Sequence, residues 1–418
     1  MLKNFKDFKA LTFNEILFLL YPVILILKPL VINTYLILIS FLLIYQLLKK
    51  KYLYIFKEVW IYFFLLFIFY SIIRGFFAKD SLVALQSGIS LIRFLCFSLF
   101  IFLCIQSAKN LNIIIKFWTF LLILLCIDTL IQYFFLENIF GFKQENNYRL
   151  TGMFTRPVIG AYLTNISIPI IFYFFLKIKN FSFNQKILLF SIYFLLFITI
   201  ALSGERLSLI SFFFSSIIIF LFCFRISHFI YLFFFILALL LIIYYSSFEF
   251  NYRVNQLYST ITNFSISPWG RLFHSAYLVF DSNIIFGVGL KNYSVVCDTQ
   301  IVDPLYYVKD LPYFCSTHPH HFYLEILSES GIVGFFLLFF FFGFFFYSTI
   351  QKIKKLRNNI IYKQYKGLLY GSILILLIYF WPIKTSGRFF TTWNGSFFWF
   401  NLGIVLLITK NFYKKNSE

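Results

Sequence analysis

Apolar runs of about 20 residues recur along nearly the whole chain, and no other feature restricts its fold so severely. A backbone inside hydrocarbon must satisfy its own hydrogen bonds, which leaves helices and closed barrels as the available solutions. The runs are continuous Phe, Leu and Ile rather than alternating apolar and polar residues, so the expected fold is an all-α polytopic membrane protein. Composition agrees: 61% of the 418 residues are hydrophobic and 12% charged, too few polar groups to cover a water-soluble globule.

The pattern predicts twelve spans, near residues 14–28, 31–48, 57–77, 83–106, 111–135, 157–176, 186–203, 206–224, 228–247, 322–350, 366–383 and 395–411. A formal net charge of +20 would point to nucleic acid in a soluble protein. Here the cations sit in short connections: Lys49–Lys51, Lys109, Lys116, Lys177, Lys179, Lys186, Arg225, Lys352–Arg357, Lys363, Lys410, Lys414 and Lys415. That is the bias of cytoplasmic loops, which excludes nucleic acid as a partner and predicts both termini inside. Lys3, Lys6 and Lys9 precede the first span with no small-residue cleavage site after it, the pattern of an uncleaved first helix. Residues 1–418 are read as one transmembrane domain in the bacterial inner membrane, in contact with membrane lipid, without an internal repeat.

Two external segments exceed simple connectors, about 137–156 and 248–321, and long loops inside compact proteins usually carry function. The longer one reads as a periplasmic subdomain between the ninth and tenth spans, with helix signals at Arg271–Phe280. Cys96, Cys104, Cys126 and Cys223 fall in spans and behave as small apolar residues, whereas Cys297 and Cys315 share the long loop. An oxidising periplasm permits a disulfide between that pair, provided their Cα atoms come within reach.

Three of the five histidines cluster in Ser316-Thr317-His318-Pro319-His320-His321-Phe322-Tyr323-Leu324-Glu325. Pro319 suits a first helical turn, where its missing N–H is no loss, so the histidines are expected at a helix start. The positive end of the helix dipole there keeps an imidazole neutral and favours a nearby anion, which describes a general base beside a phosphate. The plainer alternatives are polar anchoring at the interface or zinc. Zinc is disfavoured because His-Pro-His-His brings few rings to one ion and no Cys or Asp stands at a familiar spacing; neither metal nor cofactor is expected.

Arginines are the second signal. Arg206 lies in a short turn, Leu202-Ser203-Gly204-Glu205-Arg206; Arg271 follows Pro268-Trp269-Gly270; Arg149 and Arg156 flank Leu150–Thr155. A guanidinium fork binds phosphate oxygens in two-pronged fashion, and a group of forks at headgroup level suits a lipid-linked diphosphate. A lone arginine would read as a snorkelling side chain; four in glycine-containing external segments point to a ligand. Within the spans, Arg93 and Asp128 sit at similar depth, roughly 10–15 Å below the outer surface at 1.5 Å per residue, and are expected to pair as a structural clamp.

These strings resemble the O-antigen ligase and O-antigen polymerase superfamily. His318–Leu324 followed by Ser328–Gly334 resembles its H-N-x-Y-L…E-x-G-x-x-G segment, and Arg149–Leu163 its R-x-x-G-x-F-x-N-P-N-x-x-A-x-Y-L segment. Leu202–Leu207 resembles its T-G-S-R turn, and Gly270–Tyr293 its G-R…W…P-x-x-G-x-G…N-x-F segment. Departures are His321 for Asn, Thr155-Arg156-Pro157-Val158 for the N-P-N stretch, and Glu205 for Ser.

The resemblance implies a periplasmic-face glycosyltransferase that moves a glycan from undecaprenyl diphosphate to an acceptor, either lipid A core or a growing glycan. It places His320 at the family's essential histidine, and Arg206 and Arg271 at its essential arginines, with inversion in one displacement. A ligase and a polymerase of repeat units share donor and chemistry and differ in acceptor; the late position of the long loop favours the ligase. A transporter of lipid-linked sugar would show several charged residues inside spans and an inverted repeat, and the chain has neither. The histidine turn cannot act alone, because the diphosphate needs Arg206 and Arg149 from other outer turns.

Overall fold

The computed structural model describes residues 11–49, 56–104, 108–144, 149–301, 315–382, 384–385 and 387–411. Met1–Ala10, Lys50, Lys51, Lys414, Lys415 and loop positions 302–314 lie outside them, as do the side chains of Cys104, Lys109 and Lys410. Helices stand where the apolar runs predicted them: α1 Phe13–Ile24, α2 Pro29–Leu48, α3 Val59–Phe76, α4 Ser81–Ser90, α5 Ile92–Cys104, α6 Ala108–Phe135, α7 Ile159–Phe175 and α8 Phe183–Leu202. They continue as α9 Arg206–Cys223, α10 Ile226–Ser246, α11 Phe248–Thr262, α12 Pro268–Asp281, α13 Tyr293–Val296, α14 Phe322–Leu356, α15 Ile360–Tyr379 and α16 Thr392–Asn411.

Among the described residues, eight helical segments are long and apolar enough to cross a membrane, and α1 and α7 are shorter apolar helices. The predicted span 83–106 is interrupted: Leu91 separates α4 from α5. The long loop contains two substantial helices, α11 and α12. In α12, Ser267 caps the N-terminus by accepting the Gly270 N–H and Pro268 takes the first turn. That start lies three residues before the helix expected at Arg271.

Contacts divide the chain into two compact units, one of residues 1–32, 101–258 and 358–378, the other of residues 33–100, 259–357 and 379–418. In the first unit, α7 packs on α8 and α9, and α6 on α1, α7 and α8. Its polar ends are tied down by side chains. Thr12 and Glu15 form a capping box at α1, and Asn110 donates to the Glu15 carboxylate at 2.8 Å. Tyr162 Oη–H donates at 2.7 Å to the Pro22 carbonyl near the end of α1. Gly367 and Gly371 of α15 lie against the backbone of α7 at Phe172–Tyr173 and Pro169, the close approach that small residues four apart allow between membrane helices. Most of α10 stays uncovered, with Tyr231, Phe234, Leu241 and Ile242 exposed, as a lipid-facing helix requires.

In the second unit, α3 packs along α14 and α4, and α14 meets α12 and α16. Trp60, Phe64, Phe341, Phe345 and Trp399 make its aromatic centre, with Phe64 and Trp399 centroids 4.5 Å apart. Helix α14 is broken at Gly331, whose φ of 63° is left-handed. The segment 284–289 crosses there and replaces the missing helical bonds. Val288 and Gly289 N–H donate to the Ser328 and Glu329 carbonyls at 2.9 and 2.8 Å, while Ile332 and Val333 N–H donate to Ile284 and Ile285 at 3.0 and 3.2 Å. Tyr70 and Arg74 of α3 satisfy the Phe286, Ser330 and Gly287 carbonyls.

Arg93 and Asp128, expected to pair, fall in different units, and each has partners within its own. Asp128 accepts from Asn138 Nδ2 at 3.1 Å and Ile139 N–H at 3.2 Å, holding the turn that follows its own helix. Arg93 donates to Thr392 Oγ1 at 3.3 Å and lies over the Phe94 ring. Asp128 thus finds a partner ten residues away in sequence.

Candidate functional site

The predicted site residues divide between the two units: Arg149, Arg156 and Arg206 in the first, Arg271 and the three histidines in the second.

In the first unit, Gln132 of α6 holds the Arg149–Pro157 segment. Its Oε1 accepts the Thr151 and Gly152 N–H groups at 2.9 and 2.8 Å, and Gly152 takes a left-handed φ of 55°. Leu150 N–H donates to the Ser203 carbonyl at 3.2 Å, which joins this segment to the turn before α9. Glu205 caps α7, accepting from the Gly160 and Ala161 N–H groups at 2.7 and 3.2 Å and from Ser208 Oγ at 3.2 Å. Burial pushes the Glu205 carboxyl up to about 7, although Arg149 and these hydrogen bonds pull the other way. Thus the position at which the resembling turn has Ser carries here a carboxylate seated on a helix N-terminus.

Arg149 is half-buried and donates to the Pro157 carbonyl at 2.8 Å. Its positive charge reaches Arg206, also half-buried, so two guanidiniums are held near one another. Arg149 Nε and Arg206 Nη1 are buried without a hydrogen-bond partner among the described residues, the condition of donors that await an anion. Arg156 is exposed.

In the second unit, α14 begins at Phe322 with His321 as its N-cap, so Pro319 precedes the helix rather than opening it. The reason lies between them: His320 has a left-handed φ of 54°, which a helix cannot include. His321 Nδ1 accepts the Leu324 N–H at 3.3 Å, and its Nε2–H donates to the Pro382 carbonyl at 2.7 Å, a pattern that fixes the neutral Nε2–H tautomer. Burial lowers its basicity, against that bond to Pro382. With both ring nitrogens engaged, His321 serves as a cap.

His318 and His320 pack ring on ring with centroids 3.8 Å apart. Trp269 meets His320 edge to face at 5.4 Å and Phe273 meets His321 at 4.8 Å, so one face of α12 lies against the histidine turn. Arg271 stands about 200° round that helix from Trp269 at about 100° per residue, with its Nε buried and without a hydrogen-bond partner among the described residues. Cys297 and Cys315 form a disulfide with Cα atoms 5.8 Å apart. It joins the buried cluster of Ala276, Val279, Val288, Tyr293 and Val296 to the strand of chain that leads into His318.

Sequence reasoning missed Arg388, which donates through Nη2 to the Thr317 carbonyl at 2.6 Å and to Glu329 Oε1 at 3.1 Å. Glu325 and Glu329, which the sequence string included without a role, are buried carboxylates that face Arg388. Lys291, with a left-handed φ of 60°, lies in the same electrostatic neighbourhood; burial and then the charges of Arg388 and Arg93 lower its pKa, opposed by Glu329. A signal was present: Lys384 and Arg388 are cations in a connector that the charge count places outside, where cations are scarce. Among the described residues no group of three His, Cys, Asp or Glu side chains is placed to hold a metal ion.

Residues 191–339 match the family model described as O-antigen ligase, which supports the O-antigen ligase superfamily for this chain. No curated protein matches it.

Proposed function

We propose, from this superfamily placement, that the chain is a periplasmic-face glycosyltransferase of the bacterial inner membrane. It transfers a glycan from undecaprenyl diphosphate to an acceptor sugar, with lipid A core as the acceptor. The observation that carries the reading is the extent of the family match: residues 191–339 include Arg206, Arg271 and all three clustered histidines.

The chemistry needs an acceptor hydroxyl to attack the anomeric carbon while the bond from that carbon to the diphosphate oxygen breaks. His320 takes the hydroxyl proton. It occupies a strained backbone position, of a kind that costs about 1–3 kcal/mol and persists where the surroundings require it. His318 supports it from ring contact, and His321 anchors the turn as the cap. Arg206 and Arg149, whose donors are buried and unpartnered among the described residues, have the chemistry to bind a diphosphate and stabilise the charge it gains on leaving; Arg271 and Arg156 are further cations with that capacity. A single displacement inverts the anomeric centre, and because diphosphate is already a good leaving group, no metal or cofactor is assigned a step.

His320→Ala is expected to abolish transfer while membrane-inserted protein remains at the normal level. Gel analysis of surface polysaccharide reads the result, and normal laddering in that variant would sink the assignment. Deleting the gene separates the related activities. Loss of a ligase leaves polymer on the carrier, loss of a polymerase leaves single repeat units on the core, and loss of a transporter leaves neither outside.

A further inference from the structure

We infer that Arg388 is the positioning residue for the histidine segment, holding Thr317–His320 to the interrupted helix α14 through Glu329. The inference rests on His320 being the base that acts in glycan transfer.

The left-handed backbone of His320 is uncommon for a residue with a side chain, and the turn that contains it is tied down on both sides. Both anchors come from the connector between α15 and α16. On the far side of His320, His321 Nε2–H donates to Pro382 O, and His321 bridges Thr385. On the near side, Arg388 Nη2 donates to the Thr317 carbonyl at 2.6 Å, and Thr317 Oγ1 lies 3.0 Å from His318 Nδ1. Arg388 thus acts one residue before the ring that packs on His320.

What fixes Arg388 is the break in α14. Glu329 gives one carboxylate oxygen to Arg388 Nη2 at 3.1 Å. Its own carbonyl takes the Gly289 N–H at the crossing. Glu325 lies 3.8 Å from Arg388 Nε and accepts the Phe389 N–H at 3.1 and 3.2 Å, which locks the chain beside the arginine. The guanidinium is 14% exposed and the two carboxylates 2% and 3%, so these are charge-assisted bonds largely shielded from water. A positioning group set this firmly governs the rate of the chemical step and leaves donor binding to the arginines elsewhere.

The test uses full-length Arg388→Gln, Glu329→Gln and Arg388→Lys, compared with the wild type as monodisperse protein with its disulfide intact. Transfer kinetics with a synthetic lipid-diphosphate glycan donor should show kcat reduced about tenfold or more in both Gln variants, the scale of one charge-assisted bond, with donor KM within about twofold. Arg388→Lys, which keeps charge and donors without the fork, should recover part of the loss. Acylation of histidines by diethyl pyrocarbonate, read by mass spectrometry, should accelerate about threefold or more at His318 and His320 in Arg388→Gln, the mark of a released turn, and stay unchanged at His228. An unchanged kcat, a change confined to KM, or equal acylation would overturn the inference. A wild type that transfers no glycan would instead defeat the proposed function, and the acylation rates alone would then decide whether Arg388 holds the turn.

Discussion

At the scale of single residues, Glu205 shows how one substitution within a familiar pattern changes local physics. Its carboxylate sits where a helix N-terminus welcomes negative charge, yet burial raises its pKa to about 7, above the ordinary carboxylate range. A raised folded-state value means the native protein binds the extra proton. The stability Glu205 contributes is therefore present below about 4.5 and lost as pH rises through about 7. His321, with a lowered value, runs the opposite way at the acid end, so the difference between wild type and Glu205→Gln is the quantity to measure. Thermal unfolding in detergent should find Glu205→Gln ahead of wild type by about 1–2 kcal/mol at pH 8, after allowance for solvent screening, and the two converging near pH 5. Equal pH profiles would remove the ionised carboxylate from this account.

Among elements, α14 has most to explain, because a helix in hydrocarbon does not break without compensation. The break works only because glycine stands on both sides of the crossing. A Cβ at Gly287 would lie 2.5 Å from Gly331 N, and one at Gly331 would meet the Ile285 carbonyl oxygen, while both residues have left-handed φ. Gly331→Ala should therefore cost about 3 kcal/mol or more and reduce the yield of folded protein, through backbone clash and strain together. Gly343, twelve residues on in the same helix, has open space around it. Gly343→Ala should leave the thermal midpoint unchanged or raise it by the roughly 0.5–1 kcal/mol of helix propensity. Equal effects at the two positions would show that the crossing does not depend on glycine.

For the whole molecule, the sided distribution of cations makes a prediction that needs no knowledge of the site. Asn180 and Ser265 are both exposed, the first in a lysine-bearing turn and the second in the long loop. In intact cells freed of the outer membrane, an impermeant thiol reagent should label Ser265→Cys and spare Asn180→Cys until the membrane is opened. The reverse pattern would invert the protein and with it the proposed periplasmic site.

The sequence by itself determined that lipid is the solvent, that helices are the elements, and where the long apolar ones lie, though not α11. These follow from hydrogen bonds made within each run and from local hydropathy, which require no knowledge of neighbours. It also marked the histidine turn and the arginines, because polar residues are conspicuous in a chain that is 61% hydrophobic. Only the tertiary structure decided what those residues do. It made His321 a cap, gave Asp128 the Asn138 amide, and brought Arg388 to Thr317 across 71 positions and to Glu329 across 59. The physical reason is that a buried polar group takes whichever partner the packing of distant segments presents, and sequence spacing does not encode that packing.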